Sequence, residues 1–366
     1  MTDIAIIGAG IAGLVCAQQL TQAGYSVVVV EKSRGLGGRV ATRRLHDTRA
    51  DHGACYLKPK GELLQGFVKL LSQHNVVEVW TDTYYELPAN SHLPIKKSGS
   101  PCYTAPTGMS AIAKFLAQDL DILLNQRVTK IDLTPENTWY LSCVSSNNSS
   151  SNNDSENKEI TAKALVIAIP APQATMLLEP LENNIIKSAF LDQLRSVDFH
   201  PCISVMAGYS SVFDTKIPEW KALNFSENNI LAWIGFDSSK RHQSHQPVFV
   251  FQSSSEFAQT HLETEELQAV GKEMLQSASE SLMLETLKTP EWMQVHRWRY
   301  AFPRHPLSEK CLSAQTILPL VCCGDWCGGN LIGGAMDSGL AAAKDINARL
   351  EQKVLLDSFL ENPKFC

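Results

Sequence analysis

Short runs of unbroken apolar residues, separated by glycine-rich breaks, are the first regularity of this chain. Ile4–Ile7 reads IAII, and Val27–Val30 is four consecutive valines. Runs of this kind suit strands buried on both faces, as in a parallel sheet. Between them Leu14–Leu20 carries helical patterning. Thr161–Ile169 (TAKALVIAI) repeats the buried-strand signature ahead of Pro170, and Val321–Ile346 reads strand, glycine-rich loop, helix. A second group, Cys202–Tyr209, Leu231–Phe236 and Pro247–Ser254, predicts strands of another sheet, and Thr264–Leu287 predicts a helix. His296–Pro303 (HRWRYAFP) alternates, which predicts a strand with His296, Trp298 and Tyr300 on one face and Arg297 and Arg299 on the other. The polar stretch Ser145–Asn157 interrupts two strand-like segments and reads as a low-complexity hairpin tip.

The first break is Gly8-Ala9-Gly10-Ile11-Ala12-Gly13. Gly8 permits a tight turn, Gly10 lets backbone approach a diphosphate, and Gly13 lets the helix lie close to the strand. The phosphates would meet free N–H groups at the helix start, near Ala12. Glu31 ends the next strand, 18 residues after Gly13, where a carboxylate accepts hydrogen bonds from ribose hydroxyls. Lys32 follows, and then a second glycine cluster, Gly35, Gly37 and Gly38, with Arg39 as a counter-charge to the same diphosphate. The alternative is a βαβ unit with an ordinary turn and no ligand.

At 366 residues the chain suits two domains, and 44% hydrophobic against 19% charged residues is a globular balance. The formal net charge of −6 and the lack of a basic stripe argue against nucleic acid. No apolar stretch approaches the ~20 residues of a membrane span. The ten cysteines form no metal-binding spacing, so no metal is expected and Cys323 and Cys327 read as small buried residues. Thr2 and Asp3 lead straight into a strand with no signal segment. The expected setting is soluble, reducing and cytoplasmic.

The stretch EKSRGLGGRVATRR resembles the Arg-x-Gly-Gly-Arg motif of the FAD-dependent amine oxidase superfamily. ADHGACY (50–56) is similar to that superfamily's segment along the flavin ring, which implies contacts from Gly53, Ala54, Cys55 and Tyr56. In CCGDWCGGNLIGGAMDSG the resemblance places Gly324 and the Asp325 carboxylate on the ribityl chain, with a helix starting near Gly334–Met336 and aiming its dipole at the flavin. Ala335 and Met336 are implied there, Val128 on the adenine side, and Pro170 at the strand that crosses near the cofactor. Further stretches, APTGMSAIAKFL, LAWIGFDSSKR, HRWRYAFP and GDWCGGNLIGGAMDSG, resemble the renalase family within this superfamily, over nearly the whole chain. Monoamine oxidases bear a flavin-linking cysteine about nine residues past the tryptophan of HRWRYAFP. Here that position is Leu307, so the resemblance implies non-covalent FAD.

The fold expected is α/β, a two-domain flavoprotein like the amine oxidases and glutathione reductase. A discontinuous Rossmann-like FAD-binding domain (1–60, 101–175, 310–352) joins an α+β substrate domain (61–100, 176–309). Trp298 and Tyr300 are expected beside the flavin, stacking on substrate, with Trp233 a further pocket residue. His296 reads first as structural, and Lys240 with Arg241 as a solvated charge pair. The function implied is an oxidase. Hydride passes from a small substrate to flavin N5 and the electrons to O2. As in renalases, the substrate would be a 2- or 6-dihydro isomer of NAD(P). An amine oxidase is the alternative, and a non-catalytic binding protein on the same fold, as in the GDP dissociation inhibitors, is the second.

Overall fold

The computed structural model describes residues 1–146, 158–210, 219–244, 246–329, 331–356 and 359–361. Strand β1 (Thr2–Ile7), helix α1 (Ile11–Gln22) and β2 (Val27–Val30) open the chain. A hairpin of β3 (Thr42–Leu45) and β4 (Thr48–Asp51) precedes α2 (Glu62–Gln73) and the pair β5 (Glu78–Leu87) and β6 (Ile95–Thr104). Then come α3 (Ser110–Leu116), β7 (Asp121–Leu123), β8 (Gln126–Leu133), β9 (Trp139–Ser145), β10 (Lys158–Ile167), α4 (Ala171–Leu178) and α5 (Ser188–Arg195). The next strands are β11 (Phe199–Gly208), β12 (Ala222–Phe225), β13 (Leu231–Phe236) and β14 (Val248–Ser253). Helices α6 (Ser255–Thr260) and α7 (Leu267–Leu282) lead to β15 (Trp292–Pro303), and β16 (Leu312–Ser313), β17 (Leu320–Cys322) and α8 (Leu331–Arg349) complete the order.

The apolar runs pair as their composition demands. β17, β10, β1, β2 and β7 lie side by side and parallel, with β16 antiparallel at one edge and β8 and β9 joined through β10, in an eight-stranded sheet. One face packs on α1, α2, α3 and α8, the other on α4, α5 and the indoles of Trp139 and Trp326. A second, seven-stranded sheet runs β15-β11-β14-β13-β12-β5-β6, antiparallel except at β12–β5. Helices α6 and α7 cover its outer face; its inner face meets Ala50, Cys55 and Tyr56. Residues 147–157 of the polar insertion lie outside the described residues; the strands flanking it, β9 and β10, pair antiparallel.

The division of the chain differs from the expected boundaries. Helix α2 carries Leu64, Phe67, Val68 and Leu71 on one buried face, and that stripe joins the core of the parallel sheet. Leu178, Phe190, Leu191 and Leu194 complete the same sheet's other face, so 176–195 belongs there too. Strand β6 extends the second sheet to Thr104, past the expected limit at residue 100. Helix α8 begins at Leu331, earlier than expected.

Lys240 and Arg241 are not solvated. Their side chains are 0% and 6% exposed, against Asp51 and Asp237, both 0%. Lys240 Nζ lies 2.7 Å from Asp237 and 3.4 Å from Asp51; Arg241 Nη2 lies 2.6 Å from Asp237 and 2.7 Å from Asp51. Thr42 Oγ1 and the Met109 amide also donate to Asp51. Burial alone would raise the Asp51 carboxyl; the Lys240 and Arg241 charges with these hydrogen bonds outweigh it and hold it below the usual carboxylate range. The cluster ties the β3–β4 hairpin to the second sheet.

Breaking one member strands the others without water. Lys240→Ala is expected to lower unfolding free energy by about 3–5 kcal/mol, read from the urea midpoint. The depressed Asp51 group stabilises above its unfolded pKa and loses that contribution as pH falls through its folded value, so the variant should also show a weaker acid dependence. An unchanged midpoint would remove the cluster from this role.

Candidate active site

Ligands of open parallel sheets bind beyond the carboxyl ends of the strands. Here the residues just past β1 (Gly8), β2 (Glu31), β10 (Ala168–Pro170) and β17 (Gly324–Asp325) all border one cleft of roughly 1910 Å³. That exceeds the ~300–1,000 Å³ of a drug-sized pocket and suits a dinucleotide together with a substrate.

The glycine loop fits a diphosphate. Gly10 has φ −77°, open to any residue, and a Cβ there would meet nothing within 4 Å. Neither backbone strain nor protein packing requires glycine at this position, while the space before it opens on the cleft. Gly13 differs: a Cβ there would collide with the Gly8 carbonyl, so it serves helix–strand packing and does not line the cleft. The Gly37 amide donates to the Ala9 carbonyl at 2.8 Å, which brings Gly37 and Gly38 beside the first loop. Glu31 is 8% exposed; its oxygens accept from the amides of Ala9 (2.9 Å) and Ser33 (2.8 Å). A carboxylate has about four acceptor sites, so capacity remains for ribose hydroxyls. Glu31 thus also fixes the loop, which sequence reasoning missed.

Ala12, Lys32, Gly53, Ala54, Cys55, Tyr56, Pro170 and Ala335 also border the cleft. Val128 and Met336 do not. The Val128 side chain points from β8 into the core beneath the sheet, and Met336 is fully buried on the inner side of α8. Arg39 has a further partner that residue spacing did not show. Its Nη1 and Nη2 donate to Asp325 at 2.7 and 2.6 Å, and Nη1 reaches the Ala301 carbonyl at 3.1 Å. This pair clamps the β17 loop to the residues ahead of the hairpin, and Arg39 still borders the cleft with its side chain 30% exposed.

The expected aromatic wall is rearranged. Trp298 donates Nε1–H to the His52 carbonyl at 2.8 Å and stacks on the His52 ring, centroids 5.3 Å apart at 27°. The β11–β15 register slips between His200 and Cys202, opposite Tyr300, and that ring packs edge-on to Phe199 at 5.5 Å. Both border the cleft, each against its own ring partner. Tyr56 and Trp233 instead approach each other at 6.1 Å, with Trp80 at 6.1 Å from Tyr56. These rings, with Lys58 and Asn224, enclose a side cavity of about 300 Å³. Gly235 makes room for the Trp233 indole, which a Cβ two residues along the strand would strike. Gln252 Nε2 donates to the Gly53 carbonyl at 2.8 Å and holds this segment from the second sheet. Its only sequence signal is one polar residue inside an apolar strand.

Titratable groups here are tuned toward neutrality. Burial, then the His296 and Arg43 charges, push His52 down to about 3; burial and Arg43 push His296 down to about 4. Arg43 Nη2 lies 3.4 Å from His296 Nδ1, and guanidinium only donates, so that nitrogen accepts. Burial drives the Cys55 thiol up, and Cys202 to about 12, so neither offers a thiolate. Around them the wall is strongly cationic: eleven Lys and Arg residues face three acids, Glu31, Asp325 and Asp337.

Gly10→Ala tests the cradle. The apoprotein is expected to melt within a few degrees of wild type, while FAD binding falls by about ten-fold or more, measured by titration of flavin fluorescence. Retained affinity would place the diphosphate elsewhere. Gly13→Ala should instead destabilise the apoprotein.

Comparison with known proteins agrees with this geometry. Residues 6–71 match the family model of the NAD(P)-binding Rossmann-like domain, and residues 79–347 match flavin containing amine oxidoreductase. An L-amino-acid oxidase of Crotalus adamanteus is 41% identical over 66 residues, 18% of this chain and 13% of that protein. A Mycobacterium tuberculosis protein named as a flavin-containing monoamine oxidase is 40% identical over 57 residues, 16% of this chain and 13% of that protein. The chain thus matches only about an eighth of these relatives' length. The structure of putrescine oxidase bound to putrescine superposes with a TM-score of 0.69 at 15% identity, over 95% of this chain and 99% of that one, a likeness of fold. No helix among the described residues is long and apolar enough to cross a membrane. The second family model spans most of the chain, its cofactor is FAD, and the cradle accepts it: the protein belongs to the family of flavin-containing amine oxidoreductases.

Proposed function

We propose that this oxidoreductase oxidises 2- or 6-dihydro isomers of nicotinamide dinucleotides, returning them to the ordinary oxidised form, with O2 as electron acceptor. The observation that carries this reading is the charge of the cleft. A protein with a formal net charge of −6 lines this large cleft with eleven cations and three acids. Arg39 and Asp325 cancel each other, Arg299 is paired with Glu263 at the edge, and FAD brings two negative charges of its own. The remaining positive surplus favours a polyanionic dinucleotide and disfavours an ammonium substrate.

The chemistry that FAD would supply when bound is acceptance of a hydride at N5 and delivery of that electron pair, with the N5 proton and one solvent proton, to O2 as hydrogen peroxide. The chain's own part is positioning. Glu31 and the two glycine loops hold the dinucleotide end. The Gln252 amide and the Trp298 indole fix segment 52–56 along the other end. Tyr56 and Trp233 offer apolar faces to a flat ring. A dihydropyridine becomes an aromatic cation when it gives up hydride, so no proton has to be removed. That suits a site whose imidazoles, with pKa values of about 3 and 4, are poor general bases.

Anaerobic stopped-flow spectroscopy tests the reading. Flavin bleaching is expected to be fast with the 6-dihydro isomer and slow with the ordinary 4-dihydro form, with peroxide on admission of air. Fast bleaching by a primary amine, and none by the isomers, would replace this reading with an amine oxidase. The limiting reduction rate should also be flat from about pH 6 to 9, because His52 and His296 stay neutral throughout. A rise through this range would reveal a base that dihydropyridine oxidation does not need.

A further inference from the structure

The β3–β4 hairpin carries an arrangement that fold stability does not explain. Arg44 and Arg49 are cross-strand partners, directly opposite each other. Opposite residues on one face stand ~4.5–5.5 Å apart at Cβ, and like charges there are destabilising. Both are exposed and both border the cleft. Among the described residues neither has an ion-pair partner. The acid on their own face, Asp51, is already held by Lys240 and Arg241.

The hairpin is also anchored on both sides of this pair. At its base Thr42 bonds to Asp51 at 2.7 Å within the buried charge cluster. At its tip the His46 ring stacks on Trp292 at 5.0 Å and 19°, and the Trp292 indole bonds to Gln246 at 2.8 Å. Two guanidinium groups are therefore presented side by side from a braced support. β4 runs directly into the segment that borders the ring end of the cleft. Paired forks of N–H donors at this spacing suit one tetrahedral oxyanion.

We propose that Arg44 and Arg49 form an anion clamp that takes a phosphate of the nucleotide substrate, distinct from the glycine loops that take the diphosphate of FAD. This rests on the dinucleotide reading of the substrate for the source of the phosphate. The shared chemistry is an oxyanion; the rival source is the carboxylate of an amino acid.

The test uses the FAD-loaded full chain, with wild type, Arg44→Gln, Arg49→Gln and Arg44→Lys, titrated calorimetrically with NAD+, nicotinamide mononucleotide, nicotinamide riboside and L-leucine. Affinity for NAD+ and the mononucleotide is expected to fall by about ten-fold or more in each glutamine variant, with partial rescue in Arg44→Lys. The riboside, which lacks phosphate, should bind all four proteins alike. The glutamine variants should melt at or above the wild-type temperature, since a like-charge pair is relieved. Unchanged NAD+ affinity overturns the clamp, as does an equal loss for the riboside. Arginine-dependent binding of leucine without that of the mononucleotide overturns the phosphate assignment in favour of a carboxylate. Flavin reduction by the dihydro isomers with an arginine-independent Kd sinks the clamp alone. Arginine-dependent mononucleotide binding with no flavin reduction by the isomers sinks the substrate reading alone.

Discussion

Four buried charges set the geometry on which the cleft depends. Removing Asp51, Asp237, Lys240 and Arg241 from water is costly, and only short, complete pairing offsets that cost. An apolar contact between the two sheets could slide by an ångström with little loss; charge-assisted hydrogen bonds of 2.6–2.7 Å could not. Asp51 closes the hairpin, and His52–Tyr56 follows it directly along the ring end of the cleft. The second sheet supplies Asp237, Lys240 and Arg241 from the turn after β13, the strand that carries Trp233. The cluster therefore couples the position of Gly53 to that of Trp233.

What the sequence made legible follows from how local each signal is. β1, β2 and β10 are unbroken apolar runs, and the glycines at their ends have a local reason. Placing the dinucleotide at those ends needed only the strand–glycine–helix order. The roles of Glu31 and Arg39 were half legible. That the Glu31 carboxylate also holds the Ala9 and Ser33 amides depends on a loop geometry that residue spacing does not encode. That Arg39 is claimed by Asp325, 286 positions away, is a tertiary fact. Residues 61–100 do not stay together in the substrate domain as expected: α2 packs on the parallel sheet, and an amphipathic stripe tells that a helix has a buried face, not which sheet receives it. The register slip at Pro201, a residue with no amide to donate, falls opposite Tyr300 and could not be read from the alternation of the partner strand.

The charged residues teach a related lesson. A net charge near −6 hides the arrangement that matters, because composition sums over the surface and the cleft selects from it. Lys240 and Arg241 look like two more solvated cations in the sequence, yet their side chains are buried against Asp51 and Asp237. Arg44 and Arg49, five positions apart, look unrelated until the hairpin sets them opposite each other. A cationic cleft in an acidic body focuses the field inward. It speeds the capture of anions while the rest of the surface keeps its negative charge.

Charge placement also bears on the proposed reaction itself. As a dihydropyridine ring surrenders hydride it acquires a positive charge, so a cation immediately beside it would raise the barrier. His52 and His296 are the titratable groups nearest the Trp298 wall, and ordinary imidazoles would be part-protonated near neutrality. Burial, with Arg43 close by, holds both in the neutral form. On this reading the positive charge of the cleft is sorted by position. Arg44 and Arg49 stand exposed, where a phosphate would lie, and the uncharged rings of His52 and His296 stand against Trp298, between the indole and the Arg43 charge that helps keep them neutral. The same desolvation that makes these histidines weak bases thus makes them tolerant neighbours for a pyridinium, and one physical cause serves both requirements.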